Sequence, residues 1–296
     1  MFIRGTFLLV LFFSAPLWQT EMKITSRDNS LLRRARAVRD GKIEQSIFVE
    51  GLRLCEEALR SGLQLEAVIH SEEIVRKERA AQVITELGSV CEAVASVSEK
   101  LLESISYTIT PQGIVLLAAR PASDEASFKS TQPASLQLVV MHGINNPVNV
   151  GAILRTAEAA GVTGAIATTN TSDPFSPKAL RGAMGSAFRL PIWKGPDYPD
   201  VIAWCAERGI RTIAASANSP RLFTEIDWRG ASALDVGPES AGLSTDEIAA
   251  ASETVRIPMQ GSVESLNVAV ATGVLLYEAS RQRGRQGSAQ PVLKRA

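Results

Sequence analysis

Apolar and polar positions divide the first part of the chain into short strands and amphipathic helices. Adjacent apolar residues are typical of strands, whereas apolar residues spaced three or four positions apart indicate a helix with one buried face. Strands are expected at residues 46–49, 65–69 and 114–118, and helices at residues 31–38, 51–60 and 72–87. This order predicts a small α/β domain over residues 22–120.

Residues 136–283 alternate between strand and helix more regularly. Strands are expected at residues 136–141, 164–168, 211–215, 233–236 and 255–258, and helices at residues 150–160, 177–184, 200–208, 245–252 and 266–281. Such alternation predicts an α/β domain with a parallel sheet covered on both faces. Ligands of these sheets bind at the carboxyl ends of the strands, so functional residues are expected in the loops that follow.

The segments outside the two domains have different compositions. Residues 121–135 are polar and carry Ser and Pro, which predicts a linker, and residues 284–296 form a basic tail. Residues 1–21 resemble a secretory signal, because Arg4 precedes an apolar run that is too short to span a bilayer. One interpretation is export. The other, which we favour, is a translation start assigned too early, with Met22 as the true beginning.

The overall charge gives no basic excess. Lys and Arg number 31, as do Asp and Glu, so the net charge is zero, and any nucleic-acid contact must be local. The basic cluster at residues 27–42 is one candidate, and a solvated helix face is the alternative. The three cysteines and two histidines have no metal-ligand spacing, so we expect no metal and a reducing compartment. The candidate contacts of the cluster are Arg27, Arg33, Arg34 and Arg36.

Glycine spacing excludes the common nucleotide-binding motifs. No two glycines are separated by a single residue, so the G-x-G core of a Rossmann fingerprint is absent, as is a P-loop. A different pattern stands at residues 145–157, where a Pro-containing turn follows a strand and Asn149 is predicted to cap a helix. Helix N-termini attract anions, and Arg155 can reach back toward that end. The pair suits a phosphate and a ribose hydroxyl. The alternative is a plain cap and an arginine that pairs with an acid.

Two later segments also have residues suited to ligand binding. Residues 237–244 leave a buried strand in a loop with glycines at both ends, which permits close approach to a ligand. Residues 257–261 form an apolar loop suited to an adenine, and polar residues at 265–267 open the next helix. Each segment by itself is equally explained as an ordinary connection, with Ser244 as a helix cap in the first case.

In this order, the three segments resemble the three motifs of the SpoU/TrmH family in the SPOUT methyltransferase superfamily. The resemblance covers residues 136–281, includes a connecting segment at residues 178–191, and is most specific at residues 265–271. Residues 24–29 and 48–51 are similar to the L30e-like substrate-binding domain that many members carry, whose usual role is RNA recognition.

The resemblance implies an RNA ribose 2′-O-methyltransferase that uses S-adenosylmethionine (AdoMet). It implies a SPOUT-type parallel sheet with a C-terminal trefoil knot, preceded by a small L30e-like α/β domain. The family works as a homodimer with the site near the subunit interface. Ribosomal RNA is the preferred substrate because of the accessory domain, with transfer RNA as the alternative and a non-catalytic RNA-binding relative as the rival. An RNA-modifying enzyme is expected in the cytoplasm, without a membrane partner.

The resemblance also assigns site residues by position. Arg155 is expected to grip phosphate and the developing alkoxide, because a guanidinium hardly loses a proton. The chain departs from the family at Pro238, at residues 240–241 and at Ala183, which leaves substrate preference open. The catalytic positions of the family fall on Asn149, Arg155, Glu239, Ser265 and Asn267, and its AdoMet-binding positions fall on Gly237, Ile257, Met259 and Leu266.

Overall fold

A computed structural model describes residues 21–128, 136–238 and 241–284 of the 296-residue chain. The described residues form two α/β units, each built on its own sheet. The signal-like segment up to residue 20, the second half of the predicted linker and the tail after Gly284 lie outside the described residues. Glu239, a predicted catalytic residue, also lies outside them.

The first unit has a five-stranded mixed sheet in the order β1-β4-β3-β5-β2. Strands β1, β4 and β3 run parallel, and β5 pairs antiparallel with both β3 and β2. Its elements are β1 (Met22–Ile24), α1 (Ser30–Arg39), β2 (Ser46–Glu50), α2 (Leu52–Arg60), β3 (Leu65–Ser71), α3 (Glu78–Gly88), β4 (Ala93–Val97), α4 (Glu99–Ile105) and β5 (Ile114–Ala119).

Three elements of this unit, β1, β4 and α4, do not follow from the sequence pattern. Each is short, and β4 has only small and branched residues, so tertiary pairing rather than periodicity decides them. The helix predicted over residues 72–87 is divided. A 3₁₀ turn covers Ile74–Arg76, Lys77 is extended with φ −89° and ψ 116°, and α3 begins only at Glu78.

Alternate residues of the first sheet bury opposite faces. Phe48, Val115 and Leu117 pack with α1 and α4 in a core that belongs to this unit. Their neighbours Ile47 and Leu116 face the other side, in a core shared with α2, α3 and the second unit. The two units are therefore joined by a continuous apolar core.

The second unit has a six-stranded sheet in the order β11-β9-β10-β6-β7-β8, and every pairing in it is parallel. This confirms the parallel sheet predicted from the alternation of elements. Its elements are β6 (Gln137–Met141), α5 (Pro147–Ala159), β7 (Gly164–Ala167), α6 (Pro177–Ala183), α7 (Ser186–Arg189), β8 (Ile192–Lys194), α8 (Tyr198–Glu207), β9 (Arg211–Ala215), β10 (Ser232–Val236), α9 (Thr245–Ala250), β11 (Glu253–Val255) and α10 (Val268–Gly284).

The first half of the predicted linker packs against the second unit. Phe128 ends a 3₁₀ turn and is buried, with its ring centroid 5.8 Å from that of Trp204. Arg120, just before this segment, donates two hydrogen bonds to the Asp173 carboxylate at 3.0 and 2.8 Å. Within residues 21–128, 136–238 and 241–284, none of the helices is both long and apolar enough to span a membrane.

Helix α5 crosses α6 at very close range because Gly151 has no side chain. A Cβ atom at Gly151 would lie 2.3 Å from the Ala179 carbonyl oxygen and 2.9 Å from the Gly182 Cα. Backbone atoms of a helix cannot yield as a side-chain tip would. The glycine therefore sets the distance between the helix that carries Asn149 and Arg155 and its neighbour.

We predict that Gly151→Ala lowers the free energy of unfolding by about 1–3 kcal/mol, because overpacking forces the two helices apart. Chemical denaturation monitored by circular dichroism measures this change. Gly284→Ala is the matched control, since a Cβ at the end of α10 would meet no atom within 4 Å. Equal stabilities for the two variants would contradict the tight crossing.

Candidate active site

The point where the sheet reverses its strand order lies between β6 and β10. The two strands are parallel neighbours, with Met141 opposite Val236, and the His142 amide donates to the Val236 carbonyl at 2.9 Å. From β6 the chain proceeds outward through β7 and β8, whereas β9 and β11 lie on the other side of β10. Ligands of parallel sheets bind at such switch points. The two loops meet there, since a Cβ at Gly143 would lie 3.0 Å from Pro238 Cγ.

Gly237 permits the loop after β10 to fold back on itself. A Cβ at Gly237 would lie 2.5 Å from the Leu243 amide nitrogen, and the Gly242 amide donates to the Pro238 carbonyl at 2.8 Å. The end of this loop is an ordinary helix cap, as the alternative interpretation held. Ser244 and Glu247 form a reciprocal capping box at the start of α9.

Helix α5 begins earlier than predicted. Asn146, not Asn149, is its N-cap, and its side chain accepts a hydrogen bond from the Val148 amide at 3.0 Å. Pro147 occupies the first turn, where its missing N–H costs nothing. The predicted cap at Asn149 is therefore wrong. Asn149 lies within the first turn and is 7% exposed, so its amide faces the protein interior.

The Asn149 side chain meets Asn267, which is 118 residues away in the chain. Asn267 Nδ2 donates to Asn149 Oδ1 at 3.2 Å. Asn267 Oδ1 accepts from the Ala269 amide at 3.0 Å, so the same side chain caps α10. Helix α10 begins at Val268, later than predicted, because Asn267 is its cap. The first and third predicted motifs are thus in direct contact.

The remaining candidates differ in how exposed they are. Arg155 is exposed on α5 and makes no ion pair or hydrogen bond with any residue in the described part of the chain. Ser265 and Leu266 are exposed just before α10, whereas Ile257 and Met259 are half-buried in the loop after β11. Residues 257–266 therefore form an irregular loop with apolar side chains partly open to solvent.

The four arginines of the predicted basic cluster do not share one environment. Arg27 and Arg33 are exposed. Arg34 forms an ion pair with Glu66 at 2.7 Å and also bonds to Ser46, and Arg36 donates to the Arg27 carbonyl at 2.8 Å. Two of the four guanidinium groups are therefore engaged within the protein.

A cluster of polar residues around His142 could not be predicted from the sequence, because its members are far apart in the chain. His142 Nε2 lies 2.9 Å from Glu247 Oε1, and His142 Nδ1 lies 2.9 Å from Thr168 Oγ1. The imidazole also packs against the Tyr198 ring in a tilted arrangement, with centroids 4.7 Å apart. His142 therefore connects β6 to α9 and β7. Burial would raise the pKa of Glu247, but hydrogen bonds from Ser244 and His142 hold it below its usual value.

Asp235 completes this cluster from the middle of the sheet. It is fully buried in β10, and Tyr198 Oη donates to its Oδ2 at 3.1 Å. Burial raises the pKa of Asp235 to about 8, although the bond from Tyr198 acts in the other direction. A charged residue in the apolar run at residues 233–236 was the one signal in the sequence. Burial therefore favours the protonated form of Asp235.

An all-parallel sheet with glycine and asparagine loops at its switch point defines a ligand-binding α/β enzyme domain, here attached to a second α/β domain. The profile of the SpoU rRNA Methylase family matches residues 137–277, and that of the MRM3-like substrate binding domain matches residues 31–116.

The chain is similar over most of its length to known methyltransferases. It is 32% identical to an uncharacterized tRNA/rRNA methyltransferase of Synechocystis sp., with 90% of this chain and 97% of the relative covered. It is 30% identical to the 23S rRNA (guanosine(2553)-2′-O)-methyltransferase of Bacillus subtilis, with 78% and 87% covered. The chain belongs to the SpoU rRNA methylase family, which confirms the resemblance seen in the motifs.

Solved structures agree with this assignment. The crystal structure of an AdoMet-bound rRNA methyltransferase from Sinorhizobium meliloti matches with a TM-score of 0.76 at 30% identity. The match covers 88% of this chain and 97% of that chain, so both α/β units are included.

We predict that Asp235→Asn stabilises the protein increasingly as the pH rises from 5 to 8. A carboxyl group whose pKa is raised in the folded protein contributes its full stability below its unfolded pKa of 3.8. This contribution to the free energy of unfolding decreases as the pH rises from 3.8 to about 8. The neutral amide avoids this loss, which is on the order of a few kcal/mol. Thermal melts at several pH values test it. A constant difference from wild type across the range would show that Asp235 is charged in the fold.

Proposed function

We propose that the protein methylates the ribose 2′-hydroxyl of an RNA nucleotide with AdoMet as methyl donor. The observation that carries the proposal is the hydrogen bond between Asn149 and Asn267, which joins two distant motifs beside the switch point. Ribosomal RNA is the substrate we favour, because relatives are named 23S rRNA 2′-O-methyltransferases. Transfer RNA is the second candidate, because the Synechocystis relative is named for either RNA.

The loops at the switch point fit AdoMet. Half-buried Ile257 and Met259, with exposed Leu266, offer an apolar surface for an adenine, and the loop backbone offers donors and acceptors at its edge. Gly237 leaves no side chain between the end of β10 and the following loop. AdoMet, when bound, supplies a methyl group already activated on a sulfonium.

The polar residues then act on the RNA. The exposed Arg155 guanidinium binds the phosphate and stabilises negative charge that develops on the 2′-oxygen, with a planar fork of donors. Asn149 is held by Asn267, so its amide has a defined orientation. Ser265 is exposed beside Asn267 and can bond the ribose or phosphate. Glu239 is proposed to be catalytic, as its position in the second motif implies.

Residues 22–120 form the proposed RNA-recognition domain, of the L30e-like type, and residues 136–283 the methyltransferase domain. Arg27 and Arg33 are the proposed direct RNA contacts, because both are exposed. Arg34 and Arg36 orient the surrounding surface through Glu66 and the Arg27 carbonyl. With RNA as substrate, we propose a cytoplasmic enzyme.

We further propose the trefoil knot and the homodimer of the family. The knot is supported by the match of residues 137–277 to the SpoU family profile, whose motifs imply it. The dimer is supported by an apolar stripe on α10, where Val270, Val274 and Tyr277 are 53%, 36% and 55% exposed on one helix face. Contiguous exposed apolar surface of this kind marks interaction sites.

Arg155→Ala should lower the rate of methyl transfer about a hundredfold, because a contact that forms with the developing charge is worth on the order of 3 kcal/mol. Arg155→Lys should not restore it, since a point charge does not replace the planar fork. Single-turnover methylation of ribosomal RNA measures the rate, while calorimetry should show unchanged AdoMet affinity.

The matched control is Arg60→Ala on α2 of the first unit, whose side chain is 69% exposed. A stable Arg155→Ala protein that methylates at the wild-type rate would remove Arg155 from the reaction. A lower melting temperature together with weaker AdoMet binding would make Arg155 a structural residue instead.

Tyr277→Arg should shift the protein from dimer to monomer, because it places a charge within the apolar stripe of α10. A positive charge in the C-terminal half of a helix does not oppose the helix dipole, so the helix itself should stay stable. Sedimentation at several protein concentrations measures the change in association. Tyr277→Phe keeps the ring and should stay dimeric. If wild type and Tyr277→Arg sediment alike, the stripe is not the dimer interface.

A further inference from the structure

A loop of the first unit is held in place by a buried carboxylate that the proposed chemistry does not use. Glu50, at the end of β2, is 5% exposed. It accepts hydrogen bonds from the Tyr107 amide at 2.9 Å, the Thr108 amide at 3.2 Å and the Thr108 hydroxyl at 2.5 Å. Three bonds to one carboxylate determine the path of the loop between α4 and β5.

The next residue, Gly51, positions the other end of the same loop. Its φ is +101°, and a Cβ there would lie 2.7 Å from Gln112 Oε1. The Gly51 amide donates to the Ile114 carbonyl at 3.1 Å, so the Glu50–Gly51 pair holds residues 107–108 and also the start of the strand that follows the loop. An anchored loop can present side chains to solvent in a defined position.

The side chains presented are apolar. Ile109 is 99% exposed and Tyr107 is 45% exposed. Both line a cleft of about 500 Å³, whose opposite wall is formed by α5 and α6 of the second unit.

The opposite wall of the cleft is positively charged. Lys178 and Arg181 lie on α6 three residues apart, and both are exposed. Neither makes an ion pair within the described part of the chain, and the lining of the cleft contains no acidic residue. An aromatic ring opposite two cations is the combination with which proteins bind the base and the phosphates of single-stranded nucleic acid.

The cleft also reaches the helix on which two of the proposed catalytic residues lie. Val148, 44% exposed, lines it from the first turn of α5, and the next residue is Asn149. Asn149 and Arg155 belong to the same helix as Val148, so a strand in the cleft would contact the element that carries two of the proposed catalytic residues.

We propose that this cleft between the two units binds a single-stranded segment of the RNA substrate, with an unpaired base stacked on Tyr107 and the backbone phosphates on Lys178 and Arg181. The inference rests on the proposed function for the identity of the ligand. It assigns RNA contacts to a surface distinct from Arg27 and Arg33. Stacking tolerates every base, so the cleft contributes affinity and positioning rather than sequence choice.

The test measures binding of the full-length protein to a fluorescent single-stranded oligoribonucleotide of mixed sequence. Tyr107→Ala should weaken binding about tenfold, within the range of one lost stacking contact, whereas Tyr107→Phe should bind like wild type. The double variant Lys178→Ala/Arg181→Ala should reduce the slope of log affinity against log salt by about 1.4, for two phosphate contacts. The control Lys77→Ala/Lys100→Ala removes two exposed lysines outside the cleft. It should leave the salt slope unchanged, and it should leave the tenfold effect of Tyr107→Ala unchanged.

Three further measurements separate the possible outcomes. All altered side chains are exposed, so melting temperatures should equal that of wild type, and AdoMet affinity should not change. Unchanged RNA affinity and salt slope in both cleft variants would overturn the inference. The inference would also be overturned if the cleft variants kept their RNA affinity but no longer sedimented as dimers, because the cleft would then bind a second copy of the chain.

The failure of the proposed function has a different signature. Wild-type protein that binds RNA through the cleft but transfers no methyl group would contradict the methyltransferase proposal and leave the cleft intact. Wild-type protein that methylates RNA, with cleft variants that show the same KM for RNA, would contradict only the cleft.

Discussion

The parallel pairing of β6 with β10 is the constraint on which the rest of the structure depends. These strands are neighbours in the sheet although β7, β8 and β9 lie between them in the chain. Their pairing brings the loops after Met141 and Val236 to one edge, where the His142 amide bonds to the β10 backbone. Helix α5 leaves from the first loop, so its first turn, which carries Asn149, lies at the switch point.

Small residues then allow three helices to approach one another. Gly151 lets α6 contact α5, and Gly273 lets α10 approach Thr156, with a Cβ position 3.3 Å from its methyl group. On the other side of this layer, Arg189 bonds to Glu158 of α5 and to Glu57 of the first unit. This bridge and the shared apolar core hold the two units together. The cleft beside Tyr107 therefore has one wall from each unit.

Local sequence determined the elements whose signals are local. The parallel sheet follows from regular alternation of apolar runs and amphipathic segments, and the family follows from three motifs in order. Polar residues within apolar runs were harder to interpret. Asp235 interrupts a buried strand and Glu50 ends one, and neither has a role until its partners, Tyr198 for the first and residues 107–108 for the second, are known.

Tertiary structure decided which distant residues meet. Periodicity placed Asn149 at a helix start but could not show that Asn146 is the cap and that Asn149 bonds to Asn267. It could not show that Arg27 is exposed whereas Arg34 forms an ion pair with Glu66. It also could not predict that Ile109 lies opposite Lys178, because that proximity depends on packing between two units. Hydrogen bonds and clefts join residues far apart in the chain, whereas sequence patterns report only what each segment buries.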